Sequence, residues 1–360
     1  MTRRSQLPLP DPIGETHASY LDRCVAAGVA RPRAIDAYHR FFRDGEGFPD
    51  RVPAPTRVET TPSDEGDVHK FLMPIEARGE RGALRVLGQR GESLETESVV
   101  IPMWQPTGTI NTLCVSSQVG CAMGCVFCET AQMGLLRSLS PDEIVAQWWA
   151  ATHRLGHSIR NIVFMGMGEP LDNAPSVLRA IEILTDHHGP NVAMRRITVS
   201  TVGRLDGLEL LRSAVERPGW RQLNLAVSVN APNDEIRSRI MPINRAMPLS
   251  ELVAALRAWP LRKSGFICCE YVLIPGVNDA DELAALLEPV RCCINVIPYN
   301  PRRDSPWPAP SETSVDRFLA RLSAHGRYCT RRRTKGRDTM AACGQLGNER
   351  IRGRKLVAIP

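Results

Sequence analysis

Six short apolar runs, separated by stretches that fit helices, constrain this chain more than any other feature. They are TLCVSS (112–117), NIVFMGMG (161–168), RITVST (196–201), LNLAVSV (223–229), CCEYVLI (268–274) and INVIPY (294–299). Helices fit between and after them over 174–186, 205–215, 249–259, 281–287 and 313–324. One more begins at Ser140, an N-cap followed by Pro141 and by Glu143 at the capping-box position. Strand–helix alternation repeated six times predicts an α/β chain with a parallel sheet, doubly wound or barrel-like. In such sheets the chemistry gathers at the C-terminal ends of the strands.

The flanks read differently. Pro-rich stretches punctuate 7–13, 49–62 and 298–310. Residues 1–62 are expected to form a small helical accessory region, ending near 37–43, plus a Pro-rich linker. Alternation in KFLMPI, LRVLG and ESVVIP predicts short strands over 63–112, leading into a barrel over 113–326. Residues 327–360 form a basic C-terminal segment, with ten Lys and Arg against Asp338 and Glu349, while the whole chain carries only +6. A basic tail on a near-neutral body points to a polyanion, with RNA or DNA the first expectation. The chain is 43% hydrophobic, enough for a packed core, and no apolar run approaches the roughly 18–20 residues of a membrane span. The N-terminus lacks the apolar segment of a secretory signal, so a cytoplasmic location is expected, with no membrane partner. In that compartment the 11 cysteines are metal ligands, reactive thiols or core rather than a disulfide framework.

Just after the first run comes Cys121-Ala-Met-Gly-Cys125-Val-Phe-Cys128, in a loop carrying Gly120 and Gly124. Three thiolates this close can fold around one inorganic centre or be a chance cluster of buried cysteines. Zinc normally takes four protein ligands in two pairs, and no second CxxC or CxxH follows. A [4Fe–4S] cluster also usually takes four cysteines; three leave one iron free for a small molecule. CxxxCxxC is the spacing of the radical S-adenosylmethionine (SAM) superfamily, whose open iron chelates SAM. At the later run ends, Gly168 and Glu169 lie in GMGEP, where glycines admit a ligand to the backbone and a carboxylate can pair with an ammonium group. Ser200, Ser228 and Asn300 end the third, fourth and sixth runs and read together as donors and acceptors for a polar cofactor.

These residues resemble the RlmN/Cfr family of radical SAM adenosine methyltransferases. The likeness spans 70–346 and includes LCVSSQVGCAMGCVFCETAQMG (113–134), FMGMGEPLDN (164–173), ITVSTVG (197–203), APNDEIRSRIMPIN (231–244), EYVLIPGVND (270–279), NVIPYNP (295–301) and AACGQL (341–346). It implies a partial (β/α)6 barrel, a [4Fe–4S] cluster held by Cys121, Cys125 and Cys128, and SAM bound by Gly168, Glu169, Ser200, Ser228, Val229, Asn230 and Asn300. It further implies that Cys343 carries a methyl group, that Cys114 is its partner thiol and that Glu97 accepts a proton. The target atom would be an sp² carbon of adenosine, carbon 2 before carbon 8, in 23S rRNA and also in tRNA. Such a carbon is a poor nucleophile, and the route that the resemblance implies first moves a methyl group to the Cys343 thiolate. A 5′-deoxyadenosyl radical then activates that methyl group for addition to the base. Glu97 removes the ring proton, and Cys114 attacks the Cys343 sulfur to release methylated RNA with a disulfide left behind. An electron donor such as flavodoxin or ferredoxin and a monomeric state are expected.

The sequence departs from the family pattern at Asn230, where His is common, and at Asp338-Thr339-Met340, where the family reads D-I-D. A Gly/Arg-rich insertion over 79–91 is further specific to this chain. The basic stretch 331–337, shortly before Cys343, is placed to hold RNA phosphates. Tyr299 and Trp307 are read as packing, with base stacking the alternative. Cys268, Cys269, Cys292 and Cys293 are read as packing too. The rival functions are a radical SAM enzyme with a protein or small-molecule substrate, and a non-catalytic metal-binding RNA-interaction module.

Overall fold

The structure, a computed structural model, describes residues 7–48, 50–75, 94–278, 281–333, 340 and 342–347. The LRVLG run, the insertion over 79–91, Lys335, Arg337 and the basic residues 350–355 lie outside them. Two helices open the chain, α1 (His17–Ala26) and α2 (Arg31–His39), the second continued by one wider turn over Arg40–Asp44. Three antiparallel strands follow: β1 (Arg57–Thr61), β2 (Val68–Ile75) and β3 (Leu94–Met103). Next come β4 (Ile110–Cys114), a small hairpin of β5 (Gln118–Gly120) and β6 (Leu135–Ser138), and α3 (Pro141–Trp149). The alternation then runs β7 (Ile159–Phe164), α4 (Ala174–Leu184), β8 (Ile197–Thr201), α5 (Leu205–Val215) and β9 (Asn224–Ser228). It closes with α6 (Asp234–Ile240), α7 (Leu249–Arg257), β10 (Ile267–Leu273), α8 (Glu282–Leu286), β11 (Cys292–Pro298), α9 (Glu312–Ala324) and β12 (Cys329–Arg331).

One ten-stranded sheet has the order β1-β2-β3-β4-β7-β8-β9-β10-β11-β12. From β4 onward every pairing is parallel, and the six strands β4, β7, β8, β9, β10 and β11 are the six apolar runs. The expected partial (β/α)6 barrel is therefore present. Near-continuous burial along these strands follows from helices covering the outside. β12 adds a seventh parallel strand beside β11, with Ile294 opposite Cys329. The sequence placed 327–331 in a basic tail, and the three-residue strand is too short and too charged to register as one.

Two more elements differ from expectation. β1 lies inside the expected linker and pairs with β2 from Arg57↔Leu72 to Thr61↔Val68. Pro53 and Pro55 before it and Pro62 after it confine it to a short edge strand, the place a sheet tolerates proline nearby. α6 is mostly polar, yet Asn233 caps it by accepting from the Ile236 N–H at 3.0 Å. α3 begins as expected, with the Glu143 carboxylate accepting from the Ser140 N–H at 2.9 Å. One apolar core joins α1 (Tyr20), α2 (Tyr38) and its wider turn (Phe41, Phe42) to α3 (Trp148, Trp149) and the sheet, and a second, smaller one surrounds the cysteine loop. Among the described residues no helix is long and apolar enough to cross a membrane.

Candidate active site

The cysteine loop leaves the C-terminal end of β4 and is framed by the β5–β6 hairpin. Cys121 donates its N–H to the Gly134 carbonyl at 2.9 Å, closing the loop at its base. Gly120 makes this possible: its φ is +76°, and a Cβ there would sit 1.8 Å from the Gly134 oxygen. Cys128 N–H donates to the Cys125 carbonyl at 3.1 Å, and Val126 N–H donates to Ile240 at the end of α6 at 3.0 Å. The three cysteines then line one cavity of about 150 Å³, together with Gly166, Gly168, Glu169, Ser200, Ser228, Asn230 and Asn300. Burial pushes the Cys121 thiol up to about 12 and those of Cys125 and Cys128 up as well. Without a cation they stay protonated; a bound metal cluster would reverse that. Three soft sulfur donors on one wall suit iron–sulfur chemistry, and the remaining wall is polar enough for a charged small molecule.

Gly166 and Gly168 serve packing first. A Cβ on Gly166 would lie 2.6 Å from Ser116 Oγ, and one on Gly168, at φ +100°, would lie 2.6 Å from Gln118 Cβ. This close approach lets Gln118 Oε1 accept from the Glu169 N–H at 2.9 Å. The Glu169 carboxylate accepts from Leu171 N–H at 3.0 Å and Val202 N–H at 2.9 Å, while burial raises its pKa to about 7. Ser200 Oγ donates to Glu270 Oε2 at 3.1 Å. Asn230 has φ +55°, and its Oδ1 accepts from Val272 N–H at 2.8 Å, so its amide is engaged in bridging β9 and β10. Asn tolerates this left-handed backbone better than most residues. Val229 belongs to the main apolar core and is not on the cavity wall.

The C-terminal segment 342–347 returns Cys343 to this mouth. Glu129 N–H donates to the Gly344 carbonyl at 2.7 Å, and Gln345 Nε2 donates to Pro301 at 3.1 Å. Gly347 N–H donates to Glu97 Oε2 at 3.2 Å. Cys343 thereby joins the wall of the small cavity and of an adjoining cavity of about 890 Å³. Cys114, buried at the end of β4, is near enough for its thiol to be pushed to about 12 by burial and by the Cys343 charge. Arg332 lines the larger cavity with Cys343 and Glu270, donates from Nη1 to Glu270 Oε1 at 3.4 Å, and its charge is felt by both thiols. The Cys343 thiol is raised by burial and drawn back down by Arg332. Glu97 is 2% exposed, with Lys70 Nζ 3.9 Å from its Oε2, and burial raises its pKa. It lines neither cavity; the Gly347 N–H covers it.

Residues 115–287 match the radical SAM superfamily. A probable dual-specificity RNA methyltransferase RlmN 1 from Protochlamydia amoebophila is 46% identical over 274 residues, covering 75% of this chain and 74% of that protein. The chain belongs to the RlmN family of radical SAM RNA methyltransferases. A dual-specificity RNA methyltransferase RlmN from Syntrophotalea carbinolica is 44% identical over 280 residues, 76% of this chain and 72% of that one. The crystal structure of a radical SAM methyltransferase from Sphaerobacter thermophilus superposes with a TM-score of 0.79 at 37% identity, covering 94% of this chain and 99% of that one. RlmN membership makes this protein an enzyme with RNA as substrate, and it implies a [4Fe–4S] cluster and SAM as cofactors.

Within this RlmN-type site, sequence reasoning passed over several residues. Glu270 sits in the middle of CCEYVLI, and a lone carboxylate inside an apolar strand was the available signal. Arg332 was counted with the surface arginines, yet it points inward, whereas Arg331 pairs with Glu312 at 2.6 Å. Gln147 of α3 is fully buried and ties β3 to β4: its Oε1 accepts from Ser98 Oγ at 2.7 Å and Ser116 N–H at 2.8 Å, and its Nε2 donates to the Ser116 carbonyl at 2.9 Å. Arg237 is 1% exposed and donates to the carbonyls of Val202, Ser228 and Val229 at the ends of β8 and β9. Tyr299 is buried, with its hydroxyl 2.8 Å from Ser305 Oγ and its ring edge-on to Trp307, an arrangement for packing. Cys269 and Cys293 are buried, and Cys268 and Cys292 half-buried, along the β10–β11 pair.

Proposed function

We propose that this enzyme methylates carbon 2 of adenosine in 23S rRNA and in tRNA, with Cys343 as methyl carrier. The observation that carries the reading is Cys343 on the cavity wall shared with Cys121, Cys125 and Cys128. The relatives' name, dual-specificity RNA methyltransferase, supports more than one RNA substrate. GMGEP and APND favour carbon 2 over carbon 8.

Cys121, Cys125 and Cys128 hold the cluster, and Gly168, Glu169, Ser200, Ser228 and Asn300 face SAM. Bound together, cluster and SAM supply a carbon-centred radical able to take hydrogen from a methyl group, after one electron from a flavodoxin or ferredoxin. Glu169 offers its carboxylate to the SAM ammonium. Arg332 favours the Cys343 thiolate, the form that accepts a methyl group. Glu97 takes the proton of the ring carbon once the Gly347 N–H yields its oxygen; burial raises its pKa, which strengthens it as a base. As that proton leaves, the adduct radical would return one electron to the cluster. The Cys114 sulfur then attacks the Cys343 sulfur, breaking its bond to the methylene carbon. That carbon takes up a proton to become the methyl group on RNA, while a disulfide is left between the two cysteines. Arg195, Arg196, Arg262 and Arg333 line the larger cavity that reaches Cys343, which supports a polyanionic substrate on that side.

The test is a pair of variants. Cys343→Ala should lose RNA methylation completely while keeping about four irons per chain and reductive SAM cleavage. Cys114→Ala should accumulate RNA covalently joined to the protein through Cys343. Methylation retained by Cys343→Ala would end this reading.

A further inference from the structure

Outside the active site, three histidines from three separate segments converge. His17 opens α1, His39 ends α2, and His188 lies in the turn after α4; one ring nitrogen of each lies within 4.8 Å of the other two. His17 and His188 stack with ring centroids 4.0 Å apart, and His39 stacks 5.8 Å from His17. The Nε2 atoms of His17 and His39 are buried and have no hydrogen-bond partner. Buried ring nitrogens normally find one. Asp186 fixes the backbone around them, its carboxylate accepting from His17 N–H at 2.6 Å and His188 N–H at 2.9 Å.

We propose that His17, His39 and His188 form a binding site for a divalent zinc-like ion that clasps the N-terminal helices to the barrel. All-imidazole donors suit zinc, with nickel and copper as competitors. With Zn–N near 2.0–2.1 Å, tetrahedral N···N separations are about 3.3 Å, so each nitrogen needs to move by less than about 1 Å, and the stacked rings must tilt to aim their lone pairs at one point. Burial holds His17 and His39 below the usual imidazole range. His188 and Arg43 add to that effect, while Asp186, Asp36 and Asp44 oppose it. Neutral rings with free lone pairs are the form a metal requires. The exposed His187, its ring 3.9 Å from that of His188, and water are the candidates for the fourth position. The site is independent of the methyl-transfer reading and involves none of its residues.

Zinc chloride titrated by calorimetry into the holoenzyme, its cysteine loop already filled by the cluster, should show one equivalent of binding. Saturation should raise the Tm by a few degrees, because the ion binds only the folded chain. The His17→Ala/His39→Ala variant should bind zinc at least tenfold more weakly and lose the Tm shift, with reductive SAM cleavage unchanged. Zinc-edge X-ray absorption on the wild type should show a nitrogen shell with multiple imidazoles, which decides the matter even if the double variant fails to fold. No zinc binding by the wild type, equal binding by the variant, or a sulfur-dominated shell would overturn the proposal.

Discussion

At the proposed SAM site, Glu169 is a side chain whose charge state would govern cofactor binding. Burial places its pKa at about 7, while two backbone N–H donors favour the ionised form without winning. With Glu169 receiving the SAM ammonium, affinity must fall as pH drops through 7, because the protonated acid no longer attracts a cation. The dissociation constant should rise up to about tenfold per pH unit below 7, and Glu169→Gln should flatten that profile; equilibrium dialysis from pH 5.5 to 8.5 checks it. A wild-type profile flat over this range would remove Glu169 from the role. Gly168→Ala should be costly for a different reason. At φ +100°, with Gln118 Cβ 2.6 Å from the new methyl, about 1–3 kcal/mol of stability should be lost and SAM binding with it. Thermal unfolding and dialysis on one preparation read both effects.

At the scale of elements, the sheet and the ends of its strands were legible because period and spacing survive in a sequence: six apolar runs became six parallel strands. CxxxCxxC was equally plain, since a local loop writes its thiols side by side. Partners distant in sequence left weaker marks. Glu270 and Arg332 meet across β10 and the end of β12, and Gln147 reaches from α3 to the backbone of Ser116; no local rule pairs such residues. Asn230, implied as a SAM contact by the family resemblance, lines the cavity while its Oδ1 accepts from the Val272 N–H, a partner no local rule supplies. Gln147→Leu should leave the Ser116 backbone groups and Ser98 Oγ unpaired in the core and cost about 2–4 kcal/mol. Because Ser116 Oγ also donates to the Glu97 carbonyl at 2.6 Å, methylation should fall more than SAM cleavage. Urea unfolding and a turnover ratio test the two halves of that statement; an unchanged ratio would show that the Gln147 side chain is structural alone.

Taken whole, the molecule is more continuous than its sequence suggests. The N-terminal helices share the barrel's core: Phe41 stacks on Trp149 at 5.5 Å, and Trp149 Nε1 donates to the Phe41 carbonyl at 2.9 Å. Deleting residues 1–48 should expose Trp148 and Trp149 and give aggregated protein, which light scattering would detect. The basic end is proposed to act on RNA through its charge. Residues 348–360 hold four basic side chains against one acidic, so removing them should reduce the slope of log affinity against log salt by about 3 for single-stranded RNA. The central claim is that the methyl group reaches RNA by way of Cys343 and loses one of its hydrogens on that route. Holoenzyme given an electron source, RNA and SAM with a fully deuterated methyl group tests it directly through mass spectrometry of the nucleosides. The account predicts methyladenosine whose new methyl group keeps two of the three deuteriums; a methyl group retaining all three would contradict it.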